Sequence, residues 1–180
     1  LNSAIGIRGE LGGWNVDENV SYGRNRIAFE TRNSANYAYG NTSPTSFKDG
    51  TLVYDQLIAG IDVSRKYDVL KSLNVAFGVE GRREGFKITS GEPASYGYPD
   101  GADPSKVGAP GAQGFGGFSP LNAIEKHREN GSAYVDLEAQ VTDKFLVGLA
   151  GRVEDYSDFG WTGNGKLSLR YDVTPWFALR

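Results

Sequence analysis

Apolar and polar side chains alternate along much of this chain, most clearly in "SAYVDLEAQVTDKFLVGLAGRVEDYSDFG", Ser132 to Gly160. Ala133, Val135, Leu137, Ala139 and Val141 share one face, and Ser132, Tyr134, Asp136, Glu138 and Gln140 the other, which is the period of a β-strand. After a short break, Phe145, Val147, Leu149, Gly151 and Val153 resume the pattern. Both apolar sets occupy one side of a hairpin only with an even register sum. That pairs Val141 with Phe145 across Thr142–Lys144 and sets Tyr134 opposite Arg152.

Similar alternation predicts strands around Ile5–Leu11, Val16–Tyr22, Leu57–Val63, Val75–Val79 and Leu167–Val173, with Phe177 and Leu179 opening another. The total is about eight, all antiparallel. Short connections fall at Gly12–Gly13, Lys66–Lys71, Thr142–Lys144 and Val173–Pro175. Long ones fall between them, at Asn33–Gly50 and Gly91–Lys126, with a smaller one at Asp155–Gly163. Strict short and long alternation gathers the long loops at one end, as in outer-membrane barrels. Charges stand in mid-strand on the polar face (Glu80, Arg82, Asp136, Glu138, Arg152, Glu154), which suits a water-filled lumen. Aromatics collect near strand ends (Trp14, Tyr54, Phe86, Tyr156, Trp161, Tyr171, Trp176), as interfacial girdles do. The expected fold is therefore all-β, an antiparallel transmembrane β-barrel segment whose apolar half faces lipid. A soluble sandwich of similar strand count is the alternative, but nothing in the sequence supplies a layer to cover the mid-strand charges.

Composition narrows the function classes. Among 180 residues there are 25 Gly, 10 Tyr and 9 Phe, a mix suited to strands and close backbone approaches. The absence of Cys and the single His exclude disulfides, thiol catalysis and a Cys/His zinc centre within these residues. A net charge of −3 with interspersed signs does not point to nucleic acid. No run approaches the roughly 18 apolar residues of a spanning helix, which says nothing against spanning strands. The start at Leu1 and the stop after an apolar stretch read as part of a longer polypeptide.

Candidate chemistry is sparse. Gly91–Phe118, rich in Gly, Pro and Ala, reads as an irregular or mobile loop of the length that often carries function. Within it, Tyr96 and Tyr98 are candidates for stacking on a ligand or for packing against the barrel mouth. Asp100 and Asp103 lack the spacing of a calcium loop and read as turn residues, and Gly111–Gly117 lacks the features of a phosphate loop. His127 is brought towards Asp158 and Phe159 by the hairpin register, which would suit a rim hydrolase, against the simpler reading of a solvated rim residue. Arg82, Glu84, Arg152 and Glu154 read as mutually paired lumen charges, or as a surface for a plug or a permeant.

Longer strings add a resemblance. "LNVAFGVEGRREGFKITSGEPASY" (Leu73–Tyr96), "GFSPLNA" (Gly117–Ala123), "SPTSFKDGTLVYDQLIAGIDVSR" (Ser43–Arg65) and the run from Ala133 to Arg180 resemble the barrel of TonB-dependent outer-membrane receptors. The resemblance implies that residues 1–180 are part of a barrel of about 22 strands, with the plug domain and remaining strands absent. It implies binding of a scarce nutrient (an iron chelate, vitamin B12 or an oligosaccharide) at extracellular loops for TonB-energised uptake, with no enzyme chemistry and no cofactor. The implied partners are outer-membrane lipid and lipopolysaccharide, the TonB complex through the plug, and a small-molecule ligand. Two other readings stay open: a complete small eight-stranded outer-membrane barrel with an adhesive or structural role, and the rim hydrolase.

Overall fold

A computed structural model describes all 180 residues. Its strands are β1 (Asn2–Leu11), β2 (Trp14–Arg32), β3 (Ser46–Tyr67), β4 (Ser72–Ser90), β5 (Ile124–Gln140), β6 (Phe145–Tyr156), β7 (Gly160–Thr174) and β8 (Phe177–Leu179). The only α-helix is one turn long, α1 (Pro93–Tyr96), and 3-10 turns cover Tyr37–Thr42 and Pro120–Asn122. Each strand lies beside its sequence neighbours in a single sheet, ordered β1 through β8 without crossover. The sheet is not closed, since β1 and β8 are its two outer strands.

The expected hairpin register is present. Val141 N–H donates to the Phe145 carbonyl at 2.8 Å, and Tyr134 stands opposite Arg152. The β1–β2 turn explains its own glycines. Leu11 pairs with Trp14, so Gly12 and Gly13 are the central residues of a two-residue hairpin, at φ 59° and 79°. Positive φ at both positions is the geometry that matches the twist of the flanking strands.

Two expectations need correction. Asp155–Gly163 is not a long loop: the β6–β7 ladder runs up to the Tyr156–Gly160 pair, leaving only Ser157, Asp158 and Phe159 as the turn. Backbone pairing continues through polar residues that look loop-like in sequence, and Gly160 takes up the positive φ of 81° needed to leave the turn. The middle strands are also longer than their apolar alternation suggested. β2 and β4 have 19 residues each, β3 has 22 and β5 has 17, against the roughly 9–11 that cross a bilayer. A ladder satisfies its own backbone whatever side chains it carries, so pairing extends past the apolar alternation.

The chain divides into two compact units, with β2 to β5 contributing residues to both. One comprises Leu1 with residues 24–55 and 84–127; the other comprises residues 2–23, 56–83 and 128–180. In the second unit the apolar half of the alternation is exposed: Ile5 at 77%, Ile7 at 75%, and Val79, Val135, Leu149, Leu167 and Leu169 likewise. Its buried side chains are polar, Asn130 and Ser132. In the first unit the reverse holds, because all four buried apolar side chains of the protein (Ala38, Phe47, Val53, Ala112) lie there. Asn36, Asp49 and Ser95 are buried with them.

Candidate functional site

The first unit contains both long loops, and hydrogen bonds lock them together. Asn36 has no solvent exposure. Its side-chain amide donates to the carbonyls of Ala94 (2.8 Å) and Gly97 (2.9 Å), and its side-chain oxygen accepts from the Ala38 N–H at 3.0 Å. One residue therefore caps the 3-10 turn of its own loop and ties down both ends of α1 in the other. Gln113 N–H donates to Ala35 O at 3.0 Å, and Ser34 Oγ donates to Gln113 O at 2.7 Å, closing a second seam.

Ser95 is the matching centre of the longer loop. Its hydroxyl donates to Glu92 O at 2.7 Å, while its carbonyl accepts from Ala112 N–H (3.0 Å) and Gly117 N–H (2.9 Å). The returning limb then seats on the strand ends: Phe118 N–H donates to Asp49 O at 2.8 Å, Gly91 N–H to Phe118 O at 2.9 Å, and Glu92 N–H to Lys48 O at 2.9 Å. These approaches leave no room for side chains. A Cβ on Gly91 would stand 2.5 Å from both Lys48 O and Ser95 Oγ, and one on Gly117 would overlap Ser95 Oγ. The buried carboxylate of Asp49 accepts from Thr31 Oγ1 at 2.6 Å.

The candidates named from sequence fall in different places. Tyr96 ends α1 and is half-buried, whereas Tyr98 is exposed just beyond it. Neither joins a ring contact; the aromatic cluster of this unit is Phe29, Phe115 and Phe118, with centroids 5.4–5.7 Å apart. Phe115 and Phe118 belong to "GAQGFGGF", whose Gly111–Gly117 stretch lacks the features of a phosphate loop and whose last two residues open the string "GFSPLNA". Asp103 is a turn residue. Ser105 Oγ (2.7 Å) and N–H (3.0 Å) both donate to its carboxylate, and with Lys106 at 3.1 Å they hold that carboxyl below the ordinary aspartate range. His127 lies 3.8 Å from Glu125, while Asp158 pairs with Arg128 at 3.7 Å. The two residues of the rim-hydrolase reading thus have other charged neighbours.

In the second unit the polar face carries linked ion pairs and hydrogen bonds. Arg152 reaches Glu154 (3.1 Å), Glu80 (3.6 Å) and Ser132 Oγ (2.8 Å), and Glu80 also holds Arg82 at 2.8 Å. Tyr134 OH donates to Asp62 at 2.5 Å. In the first unit Tyr54 donates to Glu84. Of the charges expected on the polar face, Glu80, Arg82, Arg152 and Glu154 therefore have partners, along their own strand or across to a neighbour.

Residues 3–180 match the family model described as "TonB dependent receptor-like, beta-barrel". The chain belongs to that family. The fold of this TonB-dependent receptor segment is similar to the crystal structure of the siderophore receptor PirA from Acinetobacter baumannii, with a TM-score of 0.63 at 16% sequence identity. The likeness covers 98% of the receptor segment and 23% of the PirA chain, so the segment spans about a quarter of that protein. No curated protein matches it. Family membership gives the exposed apolar half of the receptor strands a physical context, since the barrels of such proteins carry apolar side chains outward and polar ones inward. The loop contacts of the receptor segment were not visible in its sequence. Their one signal was "GEPAS", in which Gly91 and Ser95 prove to be packed against each other.

Proposed function

We propose that this chain is part of an outer-membrane receptor barrel that captures a scarce nutrient at its interlocked long loops, for uptake energised through TonB. The observation that carries the reading is the inverted distribution of burial. Apolar side chains of the membrane-sized strand segments are exposed, while the buried apolar side chains belong to the unit that holds the long loops. A sheet with such a surface is stable in lipid and prone to association in water. The ordered loops provide a preformed capture surface, on which Tyr96 and Tyr98 are the candidate contacts. The mechanism is binding followed by movement of a plug, with no covalent step.

The ligand class we favour is an iron chelate, with vitamin B12 and oligosaccharides as the alternatives. The likeness in fold to PirA, a siderophore receptor, supports this choice, and family membership supports the TonB partnership and the outer-membrane location. The test uses the intact receptor carrying this segment, reconstituted with its membrane. Saturable binding of an iron chelate, lost on replacing residues 98–110 with a short Gly/Ser linker, supports the reading. Undiminished binding after that replacement removes the loops from the capture surface, and a protein that is monodisperse and cooperatively folded in plain buffer removes the membrane barrel.

A further inference from the structure

The tight turn between β1 and β2 has an arginine fixed against it. Arg65, near the end of β3, places its guanidinium over Gly13, where a Cβ would stand 3.3 Å from the Cζ. Its Nη1 donates to Gly12 O at 3.3 Å. The same guanidinium lies 4.9 Å from the ring centre of Tyr67 and 5.8 Å from that of Trp14. Trp14 itself meets Tyr67 and Phe77 edge-on, at 6.1 and 5.5 Å. The cation is therefore held by a backbone turn and two aromatic faces, and no carboxylate pairs with it. Other arginines of this unit contrast with it: Arg8, Arg82, Arg152 and Arg170 each face an acid at 3.1 Å or less.

A guanidinium has five N–H donors in a rigid fork that fits two oxygens of one anion, and the structure uses one group on Gly12. Cation–π contact with two rings holds the fork and supplies no anionic partner. The ligand chemistry this calls for is an oxyanion. The surroundings choose its source. Trp14 and Tyr67 are amphipathic rings of the kind that settle at the boundary of lipid and water, and Phe77 is 43% exposed beside them. A phosphate carried on a glycerolipid would meet both the charge and the apolar rings, whereas free phosphate would use only the charge.

We propose that Arg65, framed by Trp14, Tyr67 and the Gly12–Gly13 turn, is a binding site for the phosphate of an anionic phospholipid headgroup. The proposal rests on the membrane reading above. Its test is native mass spectrometry of the intact receptor in detergent, titrated with phosphatidylglycerol or phosphatidylcholine. The expected result is one phosphatidylglycerol held about tenfold more tightly by the native protein than by Arg65→Gln, as suits loss of a charge-assisted pair. Arg65→Lys, which keeps the charge and the fold but not the fork, should fall between the two, and it reads the same question if Arg65→Gln does not fold. Equal phosphatidylglycerol binding by the native protein and both variants overturns the proposal while leaving the membrane reading intact. Equal native affinity for the two lipids, or displacement by inorganic phosphate at matched concentration, overturns the commitment to an anionic lipid. A receptor that binds neither lipid and stays monodisperse without detergent overturns the membrane reading itself.

Discussion

Asn36→Ala should release both long loops at once. The substitution removes three hydrogen bonds and leaves the carbonyls of Ala94 and Gly97 and the N–H of Ala38 without their partner, around a side chain that has no exposure. A buried group left unpaired costs about 1–3 kcal/mol, so three cost about 3–9 kcal/mol. The vacated amide leaves room for water to satisfy part of this, which brings the expected loss to about 3–5 kcal/mol of local stability. At about 1.4 kcal/mol per factor of ten, amide exchange in the loops should accelerate roughly a hundredfold or more. Hydrogen exchange of the intact receptor in detergent measures this directly. Ala38, Tyr39 and Ser43 in one loop and Ser95, Gly97 and Ala112 in the other should lose protection together, since each of these N–H groups is bonded within the interlocked assembly. Amides of β6 and β7 should be unchanged. Loss confined to residues 33–45, or no loss at all, would refute the claim that Asn36 couples the loops.

Other substitutions separate the remaining arguments. Leu149→Arg, on the exposed apolar face of β6, should cost about 2–4 kcal/mol when the receptor is folded in a bilayer, and next to nothing if that surface meets water; unfolding in lipid vesicles gives the value. Gly117→Ala forces a Cβ into Ser95 Oγ and should cost about 1–3 kcal/mol, with Ser95→Gly in the same chain recovering part of it in the same assay. Arg152→Gln should lower stability by about 1 kcal/mol or less, because the pairs it makes on the polar face are partly solvated. The Asp103 carboxyl, whose folded value is lowered by Ser105 and Lys106, favours its turn above the ordinary aspartate range and loses that contribution as pH falls through the lowered value. An NMR titration of the Asp103 carboxyl in the native protein and Ser105→Ala should show the variant titrating at higher pH.

What the sequence made legible and what it hid have a common physical cause. Where one strand face meets an apolar medium, every second residue is constrained, and the Val141–Phe145 register could be worked out from that constraint alone. The all-β antiparallel fold followed from the same pattern. Beyond the apolar band the ladders of β2 to β5 continue through charge-rich residues such as Arg24 to Arg32, where only Ile27 and Phe29 carry the alternation, so their full length was invisible. The loops were harder still. Asn36 contacts residues about sixty positions away through backbone carbonyls, and a carbonyl has no residue identity to read. Tyr96 and Tyr98 stood out because aromatics stand out, yet the ring cluster formed around Phe29, Phe115 and Phe118. Glycines at Gly91 and Gly117 looked like flexibility and are instead close contacts.

The strand order without crossover bears on how such a polypeptide can be assembled. Every strand is bonded to the one made just before it, so pairing can advance one hairpin at a time and never waits for a distant segment. The longest connection is that between β4 and β5, residues 91–123, ahead of residues 33–45 between β2 and β3 and against four residues, Val141–Lys144, between β5 and β6. Closure entropy grows only with the logarithm of loop length, so the longer connection adds about 2 kcal/mol to that one step. A zipper with two slightly stiffer teeth can still close in order, and residues can be added to its largest loop with little effect on the rate at which the strands below it meet.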